Sequence, residues 1–543
     1  MPYNIADLFE HTVDVVPDRV AVVDRDVQLT FAELDARANR IGHYLAEHGV
    51  GPGDHVGIYA INSEAWVSTM LGCLKIRAVP INVNYRYVED ELTYLIGNAE
   101  LVACVFDREY APRLAHVMAA SPRLHTLLHI EDGSGADVST LDSIDFDEAC
   151  AAGAPERDFP DRSDDDVYII YTGGTTGMPK GVMWRHEDIY FALGQGIDAL
   201  TGERVTDEYT KAEMAAASPT GLVFCVIPPL MHGAAQIATL SQWFIGSTVV
   251  LIPRFSAEAV WDAVDRHGVN SVVITGDAVA RPLIEALEAN EGRWNTDSLV
   301  SVSSSAALFS QSVKERFLDR FPNLIITDSI GSTESGFNGL TYAAKGDKGA
   351  GGGPTVAPGR DVVILDEEMR TIPLGDERVG KMGRGGNIPL GYFNDPVKTA
   401  ENFVVAADGE RYAVSGDFAR WTADGQLVML GRGTVSINSG GEKIYPEEVE
   451  QALKAHDAVF DCIVVGVPDE RWGQRVAAIV HFRDGSRVTL QELTDHAREH
   501  IAGYKVPREL HQVDEIVRSP SGKPDYPWAK QLAESGTAHV EGP

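Results

Sequence analysis

Short, nearly all-apolar runs bounded by turn residues recur along this chain, alternating with stretches whose apolar residues fall at helical spacing. The runs are Val20-Ala-Val-Val, His55-Val-Gly-Ile-Tyr-Ala, Leu101-Val-Ala-Cys-Val-Phe, Val167-Tyr-Ile-Ile-Tyr, Thr248-Val-Val-Leu-Ile and Val272-Val-Ile. A strand with no polar face must be covered on both sides, so these runs belong inside layered structures. Phe31-Ala-Glu-Leu-Asp-Ala-Arg-Ala-Asn-Arg-Ile-Gly-His-Tyr-Leu, which follows the first run, has the spacing of an amphipathic helix. The alternation predicts parallel sheets covered by helices, an α/β fold. At 543 residues the chain exceeds what one core supports, so at least two domains are expected.

The texture changes near Gly425. A strand, Gln426-Leu-Val-Met-Leu-Gly-Arg, ends in a glycine-bracketed turn, and a polar, glycine-rich stretch runs to Gly441. The tail then reads as a compact α+β unit: a helix over 447–455, strands at Cys462-Ile-Val-Val and Ala477-Ala-Ile-Val-His-Phe, and a helix near 490–500. These features predict a large multi-sheet N-terminal domain, 1–431, and a small mobile C-terminal domain, 432–543, with a hinge near 431–436.

Eighty acidic residues stand against 46 basic ones, a formal net charge of −34. Such a field repels nucleic acid and anionic membrane at long range and argues against both as partners. Small anions are still admissible where backbone dipoles and a few cations meet them closely. No apolar run is long enough to span a bilayer, and the N-terminus lacks a basic segment followed by an apolar one. Five scattered cysteines (Cys73, Cys104, Cys150, Cys225 and Cys462) show neither metal-ligand spacing nor a disulfide framework. The expectation is a cytoplasmic protein.

The most informative segment is Tyr171-Thr-Gly-Gly-Thr-Thr-Gly-Met-Pro-Lys-Gly181. Gly173, Gly174 and Gly177 let backbone N–H groups turn inward as an anion nest, Thr172, Thr175 and Thr176 add hydroxyls, and Lys180 adds a point charge. These are the parts needed to hold a polyphosphate, at a spacing that differs from the P-loop. Further motifs follow in order: Pro228-Pro-Leu-Met-His-Gly-Ala-Ala-Gln236, Ser303-Ser-Ser-Ala-Ala-Leu308, Asp328-Ser-Ile-Gly-Ser-Thr-Glu334, Val414-Ser-Gly-Asp417, Gly431-Arg432, Gly440-Gly-Glu-Lys-Ile-Tyr-Pro-Glu-Glu-Val-Glu450 and Arg518-Ser-Pro-Ser-Gly-Lys523.

The set resembles, over essentially the whole chain, the adenylate-forming superfamily of acyl- and aryl-CoA synthetases, peptide-synthetase adenylation domains and firefly-type luciferases. The resemblance implies a carboxylate activated by ATP to an acyl-adenylate and then transferred to a thiol, with ATP, Mg²⁺ and coenzyme A as cofactors. It implies Lys523 as the mobile catalytic cation of the first step, a role that suits a compact ammonium. It implies Glu334 as the Mg²⁺ ligand, a hard carboxylate for a hard cation, and Thr333 as a phosphate contact. Ser305, Ala306, Ala307, Asp328, Ser329, Ile330, Gly331 and Ser332 would surround the adenine. Asp417 would accept the ribose hydroxyls, with Arg432 beside the same nucleotide. Gly440 and Gly441 would line the thiol tunnel, and His232 would flank the carboxylate. Trp184 and His186 read as packing or capping groups.

The sequence departs from the family pattern in four places. Gly173 stands where serine is usual, Ile330 where an aromatic residue commonly stacks on the base, Ser304 and Ser305 where a glycine pair is usual, and Thr434 where the hinge usually has Asp or Lys. Phe224, Met231, Ala234, Ala235, Leu308 and Phe309 give the acyl-side loops an apolar character, which favours a hydrophobic acid. The run from Met183 to Leu193 resembles bacterial ligases of lipid and sterol breakdown, so a fatty or steroid side-chain acid is expected. An aryl or short-chain acid, an adenylating enzyme that loads a carrier-protein thiol, and a non-catalytic nucleotide-binding regulator are the alternatives. Asp277 is the residue that could meet an amino-acid ammonium. A monomer or homodimer is implied.

Overall fold

The computed structural model describes residues 3–174, 177–193, 196–197, 203–305, 307, 309–345, 355–414, 416–432, 435–439, 442–469, 472–483, 485–518, 524–535 and 539–541. The chain forms two compact units, each assembled from three separate stretches: Met1–Ile274 with Ala286–Ser301 and Asn387–Glu401, and Thr275–Glu285 with Val302–Gly386 and Asn402–Pro543.

In the first unit a five-stranded, all-parallel sheet runs in the order Val79–Asn82, His55–Tyr59, Ala103–Asp107, Thr126–Ile130, Ser143–Asp145. Its strands alternate between two cores, as the two-residue period of a strand requires. Ala103 and Val105 join Ile41 and Leu45 of the helix Phe31–Glu47, while Cys104 and Phe106 join Leu92 and Leu95 of the helix Glu89–Asn98. The expectation of doubly covered apolar strands is met. A second group of strands, Val27–Thr30, Val20–Asp24, Thr248–Leu251, Val223–Val226 and Ser271–Ile274, is parallel apart from the Val20–Asp24/Val27–Thr30 hairpin. The helix Phe31–Glu47 begins at a capping box: Thr30 accepts the Glu33 N–H, and the Glu33 carboxylate accepts the Thr30 N–H.

The segment from Tyr171 to Gly181 takes a form that the sequence reading did not foresee. It is the distal half of a long antiparallel hairpin, Val167–Gly174 with Gly177–Arg185, to which Gly391–Tyr392 adds a third strand. Gly181 makes this possible, because a Cβ there would sit 2.7 Å from the Tyr171 ring.

The second unit is mostly antiparallel. Its strands follow the order Ile325–Ser332, Gly336–Ala343, Thr355–Pro358, Leu427–Arg432, Asp417–Trp421, Gly380–Arg384, Arg411–Ala413 and Phe403–Val405. The tail is the α+β body that the sequence predicts. The long hairpin Val459–Asp469/Gly473–Phe482 puts Cys462, Val464, Ala478 and Val480 on the face shared with the helices Pro446–Lys454 and Leu490–Arg498. Ile463, Val465, Ala477 and Ile479 face the helix Tyr526–Ser535. The architecture is therefore mixed α/β with a large sheet-rich N-terminal part and a smaller α+β C-terminal part. All five cysteines are buried and free of disulfides. Among the described residues no helix is long and apolar enough to cross a membrane.

Candidate functional site

In the first unit the phosphate-loop hairpin and the acyl-side loop are tied together by one buried side chain. Asn82, at the end of its strand, donates to Tyr171 O (2.8 Å) and Met231 O (2.6 Å) and accepts the Tyr171 N–H (2.8 Å). Its amide thus completes the outer edge of the hairpin strand, whose N–H and C=O would otherwise be buried unpaired. Asn62 fixes the same acyl-side loop, accepting Leu230 N–H (2.6 Å) and donating to Pro228 O and Ile252 O. Gln236 donates to Leu230 O and accepts the Tyr168 hydroxyl. The sequence reading missed both asparagines. The signal at Asn82 is a polar amide closing an otherwise apolar strand, which points to backbone work rather than to solvent.

Thr172 and Lys180 are opposite each other in this hairpin, and Gly174 is opposite Gly177. Lys180 Nζ lies 5.9 Å from the centre of the Tyr392 ring. Half-buried His232 begins the helix Gly233–Phe244, and its N–H donates to Pro229 O (3.0 Å). Met231 and Ala235 are buried beside it. Trp184 and His186 are fully buried, in keeping with a packing role. His186 Nδ1 accepts the Ile5 N–H, and burial pushes its pKa down to about 4.

In the second unit the adenine-side motifs lie on neighbouring strands. Ser329 Oγ donates to Ser304 O (3.1 Å), Thr327 Oγ1 donates to Ser303 Oγ (3.0 Å), and Ser304 Oγ accepts the Gly276 N–H. Ala307 N–H turns back to Ser305 O (2.9 Å). Asp328 accepts from buried Lys314 (3.0 Å); burial raises its pKa, and Lys314 partly offsets this. Ile330 and Gly331 continue the strand to Ser332, whose Oγ accepts the Ser335 N–H (3.1 Å) across the turn that carries Thr333 and Glu334. Gly331 cannot be replaced without moving that turn, because a Cβ there would stand 2.6 Å from Gly336 O. Asp417 and Arg432 are directly opposite in an antiparallel pair. Two strands, Gly336–Ala343 and Thr355–Pro358, separate that pair from the Ile325–Ser332 strand.

Phe309, one of the apolar residues of the acyl-side motifs, lies in the second unit. It is buried, packed edge-on against Phe317 and beneath Lys314. Asp277 is also committed: it accepts the Ser310 N–H (2.9 Å) and lies 3.5 Å from buried Arg281. Thr175, Thr176, Ala306, Leu308, Thr434, Gly440, Gly441 and Lys523 lie outside the described residues.

A second feature of the first unit had no single motif to announce it. A cleft of about 560 Å³ is lined by Tyr85, Arg86, Glu109, Tyr110, Arg113, Arg254 and Phe255. Tyr85 and Tyr110 are stacked, Arg113 donates to Tyr87 O (3.2 Å), and Arg254 pairs with Glu109 (2.5 Å). The cleft thus gathers three guanidiniums, one of them paired with Glu109, and three aromatic rings on a chain of net charge −34.

Comparison with known proteins agrees with these motifs. Residues 9–393 match the family described as AMP-binding enzyme, and residues 448–523 match the AMP-binding enzyme C-terminal domain. The chain is 53% identical to a Rhodococcus rhodochrous protein named 3-oxocholest-4-en-26-oate--CoA ligase, over 98% of this chain and 96% of that one. It is 52% identical to the Medium/long-chain-fatty-acid--CoA/3-oxocholest-4-en-26-oate--CoA ligase of Mycolicibacterium smegmatis, over 99% and 98%. The fold matches a crystal structure of the anthranilate CoA ligase AuaEII in complex with anthranoyl-AMP, with a TM-score of 0.83, 21% identity and 98% coverage of each chain. The motif residues, the strand registers that pair them and the matches over both parts of the chain lead to one conclusion: this protein belongs to the AMP-binding enzyme family.

Proposed function

We propose that the protein is an AMP-forming acyl-CoA ligase that activates a hydrophobic carboxylic acid, a medium- or long-chain fatty acid or a steroid side-chain acid. The observation that carries this reading is the 53% identity, over 98% of the chain, to a relative named as a ligase of a steroid acid. In the first step a carboxylate oxygen attacks the α-phosphorus of ATP, the new O–P bond gives the acyl-adenylate, and pyrophosphate leaves. Two anions must meet, so the chain's task is to position them and offset their charge. Thr172 and Lys180 on the hairpin, with the nearby glycines, hold the phosphates. Asp417 accepts the ribose hydroxyls, with Arg432 opposite it. Thr333 and Glu334 offer hard oxygen donors on one tight turn, a set that fits Mg²⁺. The ion would supply charge neutralisation on the phosphates. Lys523 brings the last cation.

In the second step the CoA sulfur attacks the acyl carbon and AMP leaves. The arginine-rich cleft suits the phosphate-bearing purine end of CoA, and Gly440 and Gly441 suit the narrow path of its arm. Gly431, at φ +93°, supports a hinge at 431–436 between the parts 1–431 and 432–543. The engagement of Asp277 with Ser310 and Arg281 weighs against an amino acid as substrate. Free cysteines suit a reducing cytoplasm, and the ligase needs no partner beyond acid, ATP and CoA. The two-step chemistry is tested by incubating the protein with Mg-ATP and a long-chain acid. The acid's adenylate should be found on the enzyme without CoA, and acyl-CoA plus AMP should appear when CoA is added. Direct formation of ADP and phosphate would refute this order of bond making.

A further inference from the structure

The C-terminal part holds a buried ion network that the reaction as described does not use. The Asp461 carboxylate accepts a two-pronged pair of hydrogen bonds from Arg518 (Nε to Oδ2 at 2.8 Å, Nη2 to Oδ1 at 2.7 Å) and is 2.8 Å from Lys454 Nζ. Nearby, Glu450 accepts the Val464 N–H (2.9 Å), and its own C=O accepts from Cys462 Sγ. Lys454 and Glu450 are each 3% exposed, and the Asp461 and Arg518 side chains 15%. Burial alone would raise the Asp461 carboxyl, but Lys454 and Arg518 outweigh it and hold it well below the usual carboxylate range.

Two positive and two negative groups are thus set among Val464, Ile463 and Val465, where apolar side chains would pack at no desolvation cost. A buried ion network is a poor stabiliser compared with apolar packing; its best-attested use is to fix a geometry. The geometry it fixes is local. Arg518 also forms an antiparallel bridge with Pro524, and Asp525 N–H donates to Val517 O (3.4 Å). The clamp therefore sets the direction of the chain on both sides of residues 519–523. Lys523 is the residue that precedes the bridged Pro524 in the chain.

We infer that Asp461 and Arg518 are positioning residues for the adenylation step. By holding the ends of the 519–523 segment, they set where the Lys523 ammonium is delivered. The inference rests on the role of Lys523 given above. An arginine fork fixes direction as well as charge, which an ammonium in its place would not do. Misplacement of a catalytic group by about 1 Å can cost about 100-fold in rate.

The test uses the full-length chain with Arg518→Lys, which keeps the charge, Asp461→Asn, which keeps the shape, Lys523→Ala, and the Arg518→Lys/Lys523→Ala pair. Acyl-adenylate formation is measured by ATP–pyrophosphate exchange, and thiol transfer is measured separately from presynthesised acyl-adenylate. Expected is a loss of about 10- to 100-fold in exchange for Arg518→Lys, with thiol transfer within about twofold of the parent and melting preserved. The double variant should be no slower than Lys523→Ala alone, because the clamp acts only through that lysine. A purely structural network would lower both half-reactions together with melting, and that result would overturn the inference. So would unchanged exchange in Arg518→Lys, or losses that simply multiply in the double variant. Lys523→Ala keeping full exchange would instead remove the underlying assignment of that lysine.

Discussion

Replacing Asn82 by Leu probes the link between the phosphate hairpin and the acyl-side loop without changing side-chain size much. Asn82 satisfies three buried backbone groups: the N–H and C=O of Tyr171 and the C=O of Met231. Leu satisfies none of them, and Asn82 is only 4% exposed, so water has little access. Each orphaned group costs about 1–3 kcal/mol. Because the three share one side chain the losses are not additive, and about 3–5 kcal/mol is expected in total. That is a large fraction of a typical stability of about 5–15 kcal/mol. It is also local, so hydrogen exchange is a better reporter here than a global melt of two units. Amides of the strand Val167–Gly174 should exchange about 100-fold faster or more in Asn82→Leu, since each 1.4 kcal/mol of opening energy is about tenfold. Pyrophosphate exchange should fall, with weaker binding of both ATP and acid. If strand exchange and adenylation both stay at parental values, the reasoning that Asn82 holds the two loops is wrong.

Three further perturbations have signs set by the structure. Gly431→Ala forces an alanine to φ +93° and drives its Cβ into the Glu447 carboxylate. It should therefore destabilise by about 1–3 kcal/mol, and Glu447→Ala should restore only the steric part in denaturant unfolding. Asp107 is pushed up to about 7 by burial while accepting the Ile61 N–H. Its raised folded-state pKa means stability is lost as pH climbs from about 4 through 7. Asp107→Asn should match the parent's melting temperature near pH 4 and exceed it increasingly up to pH 8, and a constant difference across that range would contradict this. Arg86→Ala and Arg254→Ala open the arginine-rich cleft at exposed positions. Each should raise KM for CoA by about tenfold with a weaker salt dependence, and should leave CoA-independent adenylation unchanged.

Much of the candidate site was legible because the motifs that compose it are local in sequence. The glycines and threonines of 172–181, the turn at 332–335 and the Gly416-Asp417 step announce themselves within a few residues. The helix Phe31–Glu47 was readable for the same reason: its spacing and its capping box are contained in one segment. The hairpin form of the phosphate segment was not legible, since it depends on Gly181 passing beneath Tyr171 and on the added strand Gly391–Tyr392 more than 200 residues later. Asn82 looked like the end of an apolar strand, and its partners at Tyr171 and Met231 are distant in the chain. The same holds for Asp461 and Arg518, and for the arginines of the cleft. The packing of Phe309 against Phe317 was not legible either, because apolar character alone does not say which partner a side chain meets. The two compact units are each stitched from three stretches, which a reading of texture along the chain has no means to see.

As proposed, this chain joins a hydrophobic acid to CoA at the expense of ATP. The direct measurement is kcat/KM for AMP formation with Mg-ATP and CoA across medium- and long-chain fatty acids, steroid side-chain acids, short-chain acids, aryl acids and amino acids. CoA-dependent turnover should be highest for the fatty or steroid side-chain acids and at least about tenfold lower for the other classes, a margin of about 1.4 kcal/mol or more in transition-state binding. Turnover led by amino acids, or adenylate formation that never passes to CoA with any acid, would contradict it.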